Sequence, residues 1–360
     1  MAIKSKELAG MLGVSAATMS LVLNHKPGIS EELRNSLLEK IREMGYGYMI
    51  REEDEKGERE ETVPNKTIAY VVLSEYHDDV EEAAFFPKVI EGAEREARKR
   101  GCRFTILHMY DEIGTKLRES INKEQFDGML VYAAQISDSM KEALDALELP
   151  YLLIDCFCPA VDASAVTVNN RQGVFAAVKY LYGRGHRRIG YVSSGRPLCS
   201  LIERRKSFSY AMEELGLSED PLLCVECAGT GQKAQEFLEE LWRDTGRIPT
   251  ALLVENDVMA ISVYRALRSN GLRIPEDVSV IGFDGRSICS MLEPALTTLR
   301  VPRRMMGRLL VTLLLQKMEL QEHTEEMVTV RLEINAELVE MDSVADVPDV
   351  NAGKKSGSEL

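Results

Sequence analysis

The first fifty residues carry apolar side chains at intervals of three and four positions, the spacing of helices that bury one face. Three helices are predicted, with apolar stripes of Leu8, Met11 and Leu12, of Met19, Val22 and Leu23, and of Leu33, Leu37, Leu38, Ile41 and Met44. Gly13 suits the tight turn between the first two helices, and Ser15 can cap the second. The pattern predicts a helix-turn-helix closed by a third helix. The alternative is a small helical bundle with no role in DNA binding.

From Thr67 onward, short β-branched or apolar runs alternate with helical patterns. Eight strands are predicted, at residues 68–73, 103–107, 128–132, 151–154, 188–192, 222–225, 251–254 and 278–281. Strands that alternate with helices form parallel sheets with crossover helices. Two groups of four strands predict two α/β lobes that face each other across a cleft. Ligands of such sheets bind beyond the carboxyl ends of the strands, so the cleft is the expected binding site.

These patterns predict four segments. Residues 1–48 form the helix-turn-helix domain, residues 49–66 an acidic linker, residues 67–341 the two-lobed body and residues 342–360 a disordered tail. The linker contains the run Arg51 to Glu61, with three basic and seven acidic residues. A later helix, predicted from about Arg303 to Met318, can serve either a dimer interface or the core.

Composition narrows the function. The chain has 360 residues and a net charge of −14, which excludes a protein that coats nucleic acid with its whole surface but allows a small DNA-binding head. It contains no run of eighteen apolar residues, and residues 1–6 do not resemble a secretory signal. Seven irregularly spaced cysteines suit a reducing compartment. We therefore expect a cytoplasmic protein without a disulfide framework or membrane association.

Several possible chemical signals are weak. Cys224 and Cys227 have zinc-like spacing, but no second pair of ligands accompanies them. Cys156 and Cys158 lie beside the expected cleft, and a redox role for them requires a lowered thiol pKa. The sequence shows no complete dinucleotide fingerprint, P-loop or recognisable catalytic grouping. It therefore predicts no cofactor, no metal and no enzymatic activity.

Several ordered segments carry a resemblance to a known family. Residues 8–24, 27–30 and 43–46 resemble the DNA-binding head of the lactose-repressor (LacI/GalR) family. Its two-lobed regulatory domain, which is like the periplasmic sugar-binding proteins, is resembled by residues 126–131, 185–191, 203–204, 255–260, 274–284 and 296–299. The resemblance implies a helix-turn-helix domain followed by a type I periplasmic-binding-protein-like α/β body. It also implies a transcriptional regulator, most often a repressor, that works as a homodimer on a near-palindromic operator.

The resemblance implies a set of DNA-contacting residues in the head. Ser15, Thr18, Ser20, Asn24 and Ser30 are expected to hold phosphates, and Ala16, Ala17 and Leu21 to face the bases; Lys4 completes the set. Hydroxyl and amide donors near a helix N-terminus suit phosphate oxygens.

Two departures from the family pattern concern DNA recognition. Leu21 stands where the family often has arginine, so a bidentate contact to guanine is lost. The linker is acidic where the family has a helix that wedges into the minor groove. Since acidic side chains are repelled by phosphates, we expect a flexible tether that does not insert.

The resemblance also implies an effector site in the cleft. The matching positions are Phe85, Phe86, Asp155, Asn169, Arg204, Asn256, Asp257 and Asp284. Carboxylate, amide and guanidinium groups beside an aromatic face suit a sugar or a related metabolite. Each also has a structural alternative, such as helix capping for Asp257 or core packing for Phe86. Gly285 replaces an acid that often follows Asp284 in the family.

The expected mechanism is a population shift in which the effector closes the lobes and changes the spacing of two DNA-binding heads. Two alternatives remain open at this stage: an effector-binding protein with weakened or lost DNA binding, and an enzyme that uses the α/β body.

Overall fold

The computed structural model describes residues 5–23, 28–43, 66–74, 86–110, 117, 126–133, 136–147, 149–156, 161–227, 229, 231–323 and 328–347. The chain divides into two compact units, residues 1–62 and residues 63–360.

The first unit contains the helices α1 (Ser5–Met11), α2 (Ala16–Leu23) and α3 (Glu31–Glu43). Gly13, with φ of 67°, makes the predicted turn between α1 and α2. The buried core consists of Leu8, Ala9, Met19, Val22, Leu23, Leu37, Leu38 and Ile41. Met11 and Leu33 were predicted to be buried, which is wrong, because their side chains are 56% and 44% exposed.

The first lobe of the second unit, lobe 1, is built on a six-stranded sheet whose neighbouring strands are all parallel. Its strands are β1 (Lys66–Ser74), β2 (Cys102–Tyr110), β3 (Gly128–Ala133), β4 (Tyr151–Ile154), β5 (Ser164–Asn169) and β11 (Arg331–Asn335). Their order across the sheet is β11-β5-β4-β3-β1-β2. The helices α4 (Pro87–Lys99), α5 (Asp138–Asp145) and α10 (Arg303–His323) pack on this sheet.

The second lobe, lobe 2, repeats the arrangement with one antiparallel edge strand. Its strands are β6 (Ile189–Ser193), β7 (Cys224–Glu226), β8 (Ala251–Val254), β9 (Ser279–Asp284), β10 (Thr297–Arg300) and β12 (Glu337–Val339). Their order is β12-β10-β9-β8-β6-β7, and β12 runs antiparallel to β10. Its helices are α6 (Asn170–Gly183), α7 (Cys199–Glu214), α8 (Gly231–Thr245), α9 (Asp257–Ser269) and the 3-10 turn Ser287–Met291.

This architecture confirms the predicted fold class. Each of the eight predicted strands is present, and the structure adds β5, β10, β11 and β12. The strands β10 and β12 were missed because they are short, and β11 because it carries charged side chains on an exposed face. The strand β5 was also missed, although it is a buried run of six residues.

Three segments of chain connect the lobes. The chain passes from β5 to α6, returns from β10 to α10, and passes again from β11 to β12. Each lobe is therefore assembled from separate parts of the sequence.

Helix α10 packs closely on α4 through two glycines. A methyl group at Gly92 would overlap the carbonyl oxygen of Arg304, and one at Gly307 would overlap the carbonyl oxygen of Val89. The α10 side chains buried in the core are Met306, Leu310, Val311, Leu314 and Met318, whereas Leu309 and Leu313 are half-buried. Of the two roles considered for this helix, its buried face supports core packing.

The segment 342–347 packs on lobe 2. Ser343 is fully buried; its Oγ donates to the carbonyl oxygen of Val280 at 2.6 Å and accepts from the amide of Thr297 at 2.8 Å. The ring nitrogens of His186 lie 3.0 Å from Thr250 Oγ1 and 3.0 Å from the carbonyl oxygen of Ala345. The prediction that a disordered tail begins at Asp342 is therefore wrong for residues 342–347, because this segment is hydrogen-bonded to lobe 2 and Ser343 is buried. Residues 348–360 lie outside the described part of the chain.

Candidate functional site

A cleft between the two lobes brings together residues that follow the carboxyl ends of several strands. It encloses about 450 Å³, including the part open to solvent. Lobe 1 contributes Phe86, Tyr132 and Asp155, and lobe 2 contributes Arg196, Leu198, Ser200, Leu201, Arg204, Asn256, Asp284 and Arg286. The location agrees with the expectation for parallel α/β sheets.

Two aspartates at strand ends have unusual backbone conformations. Asp155 follows β4 with φ of 49°, and Asp284 ends β9 with φ of 106°. Among the described residues other than glycine, these two alone have positive φ. Residues held in such conformations are common at binding sites, where the surrounding structure must hold them in place.

Arg204 connects several parts of the cleft floor. Its Nε donates to Asn170 Oδ1 at 2.9 Å, its Nη1 to the carbonyl oxygen of Glu255 at 2.7 Å, and its Nη2 to Asp284 Oδ1 at 3.1 Å. The guanidinium carbon lies 3.7 Å from the centre of the Phe283 ring. These contacts hold the guanidinium in one orientation and leave it at the floor of the cleft.

Asp284 is held by a second arginine on the same strand-to-loop connection. Arg286 Nε donates to Asp284 Oδ2 at 3.2 Å, so the carboxylate is shared by Arg204 and Arg286. Both side chains of the Arg204–Asp284 pair are 4% exposed. Two cationic partners therefore compensate the negative charge of this buried carboxylate.

Asp257 lies beneath the floor and does not line the cleft. Its Oδ1 accepts from Thr298 Oγ1 at 2.6 Å, and its Oδ2 accepts from the backbone amide of Arg286 at 2.7 Å. The residue is fully buried. Asp257 therefore positions the loop that carries Arg286, rather than facing the cleft itself.

Two of these carboxyl groups have raised pKa values. Burial raises the pKa of Asp155 to about 7, although the nearby Arg204 opposes the shift. Burial and the neighbouring Asp284 raise the pKa of Asp257 to about 7. Asp155 Oδ1 accepts from the amide of Val168 at 3.1 Å. At neutral pH, each of these two groups can exist in either protonation state.

Aromatic side chains of lobe 1 form the wall opposite the arginines. Phe86 is 7% exposed and lies directly before α4, and its ring centre is 3.9 Å from that of Tyr132. Such a wall can cover the apolar face of a ring-shaped ligand. Phe86 thus packs in the core and also lines the cleft.

The structure brings together Phe86, Asp155, Arg204, Asn256 and Asp284 of the predicted effector residues. Asn169 does not line the cleft: its Oδ1 caps α6 at the amide of Gln172, and its Nδ2 donates to Asn335. Phe85 lies outside the described residues. Six further residues line the cleft and were not predicted from the sequence: Tyr132, Arg196, Leu198, Ser200, Leu201 and Arg286. Tyr132 ends a predicted strand and Arg286 follows one, so strand-end position was the signal that could have identified them.

The head presents polar groups at the start of α2. Ser15 Oγ accepts from the amide of Thr18 at 3.0 Å and lies 2.8 Å from Thr18 Oγ1. Ser30 Oγ caps α3 at the amide of Leu33, at 3.3 Å. Ala16, Ala17 and Ser20 are exposed. The predicted DNA contacts Lys4 and Asn24 lie outside the described residues.

Leu21 is held at the end of α2. Its side chain is half-buried, and a methyl group at Gly28 would lie 3.3 Å from its Cδ1. Arg34 Nη1 donates to the Leu21 carbonyl oxygen at 3.0 Å. Arg34 thus fixes α3 to the last turn of α2.

Comparison with known proteins agrees with both units. Residues 6–47 match the model of bacterial regulatory proteins of the lacI family, and residues 178–344 match a periplasmic binding protein-like domain. The repressor PurR of Vibrio cholerae is 29% identical over 350 residues, which cover 95% of this chain and 98% of PurR. The repressor CytR of Escherichia coli is 30% identical over 320 residues, or 87% and 89% of the two chains.

Solved structures show the same fold. A complex of the transcriptional regulator CelR with cellobiose has a TM-score of 0.68 at 25% identity and covers 95% of this chain and 100% of CelR. The lac repressor dimer bound to operator and the anti-inducer ONPF has a TM-score of 0.66 at 19% identity, with 96% and 100% covered.

A helix-turn-helix head and a two-lobed body with a polar cleft define a DNA-binding transcriptional regulator controlled by a small-molecule effector. The relatives at 29% and 30% identity are transcriptional repressors. The chain belongs to the LacI family. In the described part of the chain, no helix is long and apolar enough to cross a membrane.

Proposed function

We propose that the effector is a sugar or a related polar metabolite and that it binds between the lobes without being turned over. The observation that carries this proposal is the pairing of Asp284, Arg204 and Asn256 on one side of the cleft with an aromatic wall on the other. Paired hydroxyl groups suit fixed carboxylate and amide groups, and a sugar ring suits an aromatic face. The cellobiose bound to CelR supports the same class of ligand.

Regulation follows from the position of the cleft. The effector contacts both lobes, so it favours a closed arrangement, and closure changes the spacing of two heads in a homodimer. The dimer binds a near-palindromic operator in the cytoplasm.

Ser15, Thr18, Ser20 and Ser30 contact phosphates, and Ala16, Ala17 and Leu21 face bases. Lys4 and Asn24 remain predicted contacts.

The linker at residues 49–66 is proposed to act as an acidic tether that does not enter the minor groove. Quantitative footprinting of the bound operator tests this part of the proposal. An unperturbed central base step is expected, and a kinked one would contradict it.

A second candidate function is effector binding with weakened DNA recognition. The observation that favours it is Leu21, an apolar, half-buried side chain at a position expected to face bases. Thymine methyl groups and DNA shape are then the remaining sources of sequence specificity.

Measurement of DNA binding distinguishes the two candidate functions. Ala17→Asp places a negative charge on the exposed face of α2, and it is expected to weaken binding to DNA upstream of the gene by more than tenfold. Asn35→Asp adds the same charge at an exposed position of α3 and serves as the control. Fluorescence anisotropy at two salt concentrations measures both affinities. Equal weak binding by the wild type and both variants would favour the second candidate.

A thermal-shift screen of sugars, sugar phosphates and nucleobases identifies the effector, because a ligand of the folded state raises Tm. Arg286→Gln in the cleft is expected to reduce the shift caused by the ligand. Arg273→Gln, which removes an exposed ion pair with Asp277 on the same lobe, is expected to retain it. A ligand whose shift is equal in both variants does not bind in the cleft as proposed.

A further inference from the structure

Two cysteines from different lobes meet at the edge of the cleft. Their sulfur atoms, Cys156 Sγ and Cys199 Sγ, lie 3.3 Å apart without a covalent bond. Cys156 is buried, and Cys199 is half-buried. The two residues are 43 positions apart in the sequence, so the fold and not local sequence brings them together.

The position of the pair connects it to lobe movement. Cys156 directly follows Asp155, which lines the cleft from lobe 1. Cys199 is the first residue of α7 in lobe 2, and its neighbours Leu198 and Ser200 line the opposite side. A bond between the two sulfurs would therefore join the lobes directly at the binding site.

The Cys199 thiol is suited to react with an oxidant. The hydrogen bond from the Cys156 thiol lowers the pKa of Cys199 to about 7, although burial opposes the shift. Burial instead raises the pKa of Cys102, Cys224, Cys227 and Cys289. The thiolate is the nucleophilic form of cysteine, so Cys199 is expected to react before these four.

We propose that Cys156 and Cys199 are a redox-modification site, at which hydrogen peroxide forms a reversible disulfide that fixes the two lobes in the arrangement seen here. In the first step the Cys199 thiolate attacks one peroxide oxygen, the O–O bond breaks, and hydroxide leaves and takes up a proton to become water. The product is a sulfenic acid on Cys199.

In the second step Cys156 sulfur attacks Cys199 sulfur. The S–O bond breaks, and the hydroxyl group leaves as water with the proton that Cys156 gives up. The two sulfurs together lose two electrons, and one peroxide is reduced to two waters. A cellular thiol reductant restores both cysteines by thiol–disulfide exchange, as expected for a regulatory disulfide in a reducing compartment.

The consequence is a second input to the regulator. With the lobes joined, the cleft cannot open to exchange its effector, so oxidation holds the protein in one state whatever the effector concentration. The proposal goes beyond effector binding and holds for any ligand of the cleft.

Peptide mapping of the full-length protein tests the bond without DNA or effector. The purified protein is treated with hydrogen peroxide, blocked with N-ethylmaleimide and digested without reductant. The expected product is a pair of peptides linked through Cys156 and Cys199, with a mass lower than the sum of the two peptides by two hydrogens. Reduction with dithiothreitol is expected to separate the two peptides. Detection of both cysteines as maleimide adducts or sulfinic acids, or of a link from either one to Cys158, would overturn the proposal.

Thermal unfolding tests whether the bond fixes the lobes. Closing a loop of 43 residues is expected to raise Tm by about 5–8 °C in the oxidised wild type, reversibly with reductant. Cys199→Ser and Cys156→Ser are expected to lose this shift, and the control Cys102→Ser on lobe 1 to keep it. If the linked peptide forms and Tm does not change, the disulfide does not constrain the lobes and that part of the proposal is wrong.

Discussion

At the residue scale, Asp155 and Asp284 are held in fixed positions in the lining of the cleft. Each holds a positive φ that costs an L-residue about 1–3 kcal/mol, and each faces the cleft at the end of a strand. The hydrogen bond from Val168 holds Asp155, and the two arginines hold Asp284. Because these contacts come from the protein itself, they restrict both side chains, and little further ordering of them is needed on binding.

Asp155→Asn tests the raised pKa of this carboxyl group. The pKa is about 7 in the folded protein and near its ordinary value of 3.8 in the unfolded chain, so the folded state binds more protons between these values. Asp155 therefore contributes to the free energy of unfolding at low pH, and this contribution is lost as the pH rises toward 7. Asparagine keeps the acceptor for Val168 and tolerates the positive φ.

Chemical denaturation at two pH values measures the effect. Between about pH 5 and pH 8, the unfolding free energy of the wild type is expected to fall by roughly 2 kcal/mol more than that of Asp155→Asn. Asp138→Asn, at the first turn of α5, controls for removal of a carboxylate. Parallel pH profiles for the wild type and Asp155→Asn would show that Asp155 is ionised normally in the folded state.

At the scale of elements, the crossing of α4 and α10 depends on the absence of two side chains. Gly92 and Gly307 each place backbone against backbone, so the helices approach more closely than larger residues allow. This contact attaches the last long helix of the chain to lobe 1.

Gly307→Ala is expected to destabilise the body by more than 2 kcal/mol, because the new methyl group overlaps the backbone of α4 and the helices must separate. Gly183→Ala, at the end of α6, meets no atom within 4 Å and is the matched control. The control is expected to be neutral or to stabilise by about 0.5 kcal/mol. Denaturant unfolding measures both, and equal stability of the two variants would contradict the close crossing.

The segment 342–347 provides a second prediction at this scale. A chain ending at Val347 is expected to unfold at the temperature of the full-length protein. A chain ending at Met341 loses the buried Ser343 and the contact of Ala345 with His186, and its Tm is expected to fall by at least about 5 °C. Calorimetry compares the two truncations. An unchanged Tm after the shorter truncation would show that the segment contributes nothing to lobe 2.

The sequence pattern predicted the elements better than their contacts. Buried strands such as β4 and β8 are continuous apolar runs, which the pattern detects directly. The strand β11 alternates charged and apolar residues at a sheet edge, and its pairing with β5 is a long-range contact that local pattern does not specify. The same limit applies to the site: Asp257 and Asn169 occupy matching family positions, but only the fold reveals that they support backbone groups.

At the scale of the whole molecule, the division between residues 62 and 63 separates the DNA-binding head from the body that contains the cleft. The hydrophobic core of the head and those of the body consist of different residues. Domains with their own cores can fold independently.

A fragment starting at Val63 is therefore expected to fold and to keep the thermal response to an effector found with the full-length protein, while losing all affinity for DNA. Circular dichroism and thermal shift measure the first two properties, and anisotropy with labelled DNA the third. The full-length chain, assayed in parallel, provides the reference. An insoluble fragment, or one whose effector response is lost, would mean that residues 1–62 are required for the body to fold.

The three connections between the lobes also govern how the protein is made. Lobe 1 begins at Lys66, but its sheet is not complete until the ribosome has passed Asn335, because β11 and the covering helix α10 come late in the sequence. Strands β6 to β10 of lobe 2 have been synthesised by then. During translation lobe 1 therefore remains incomplete while lobe 2 is synthesised. The edge of β5 and the apolar face that α10 later covers are exposed in this period. A premature stop codon after Arg300 would leave nascent chains that aggregate through the lobe encoded first.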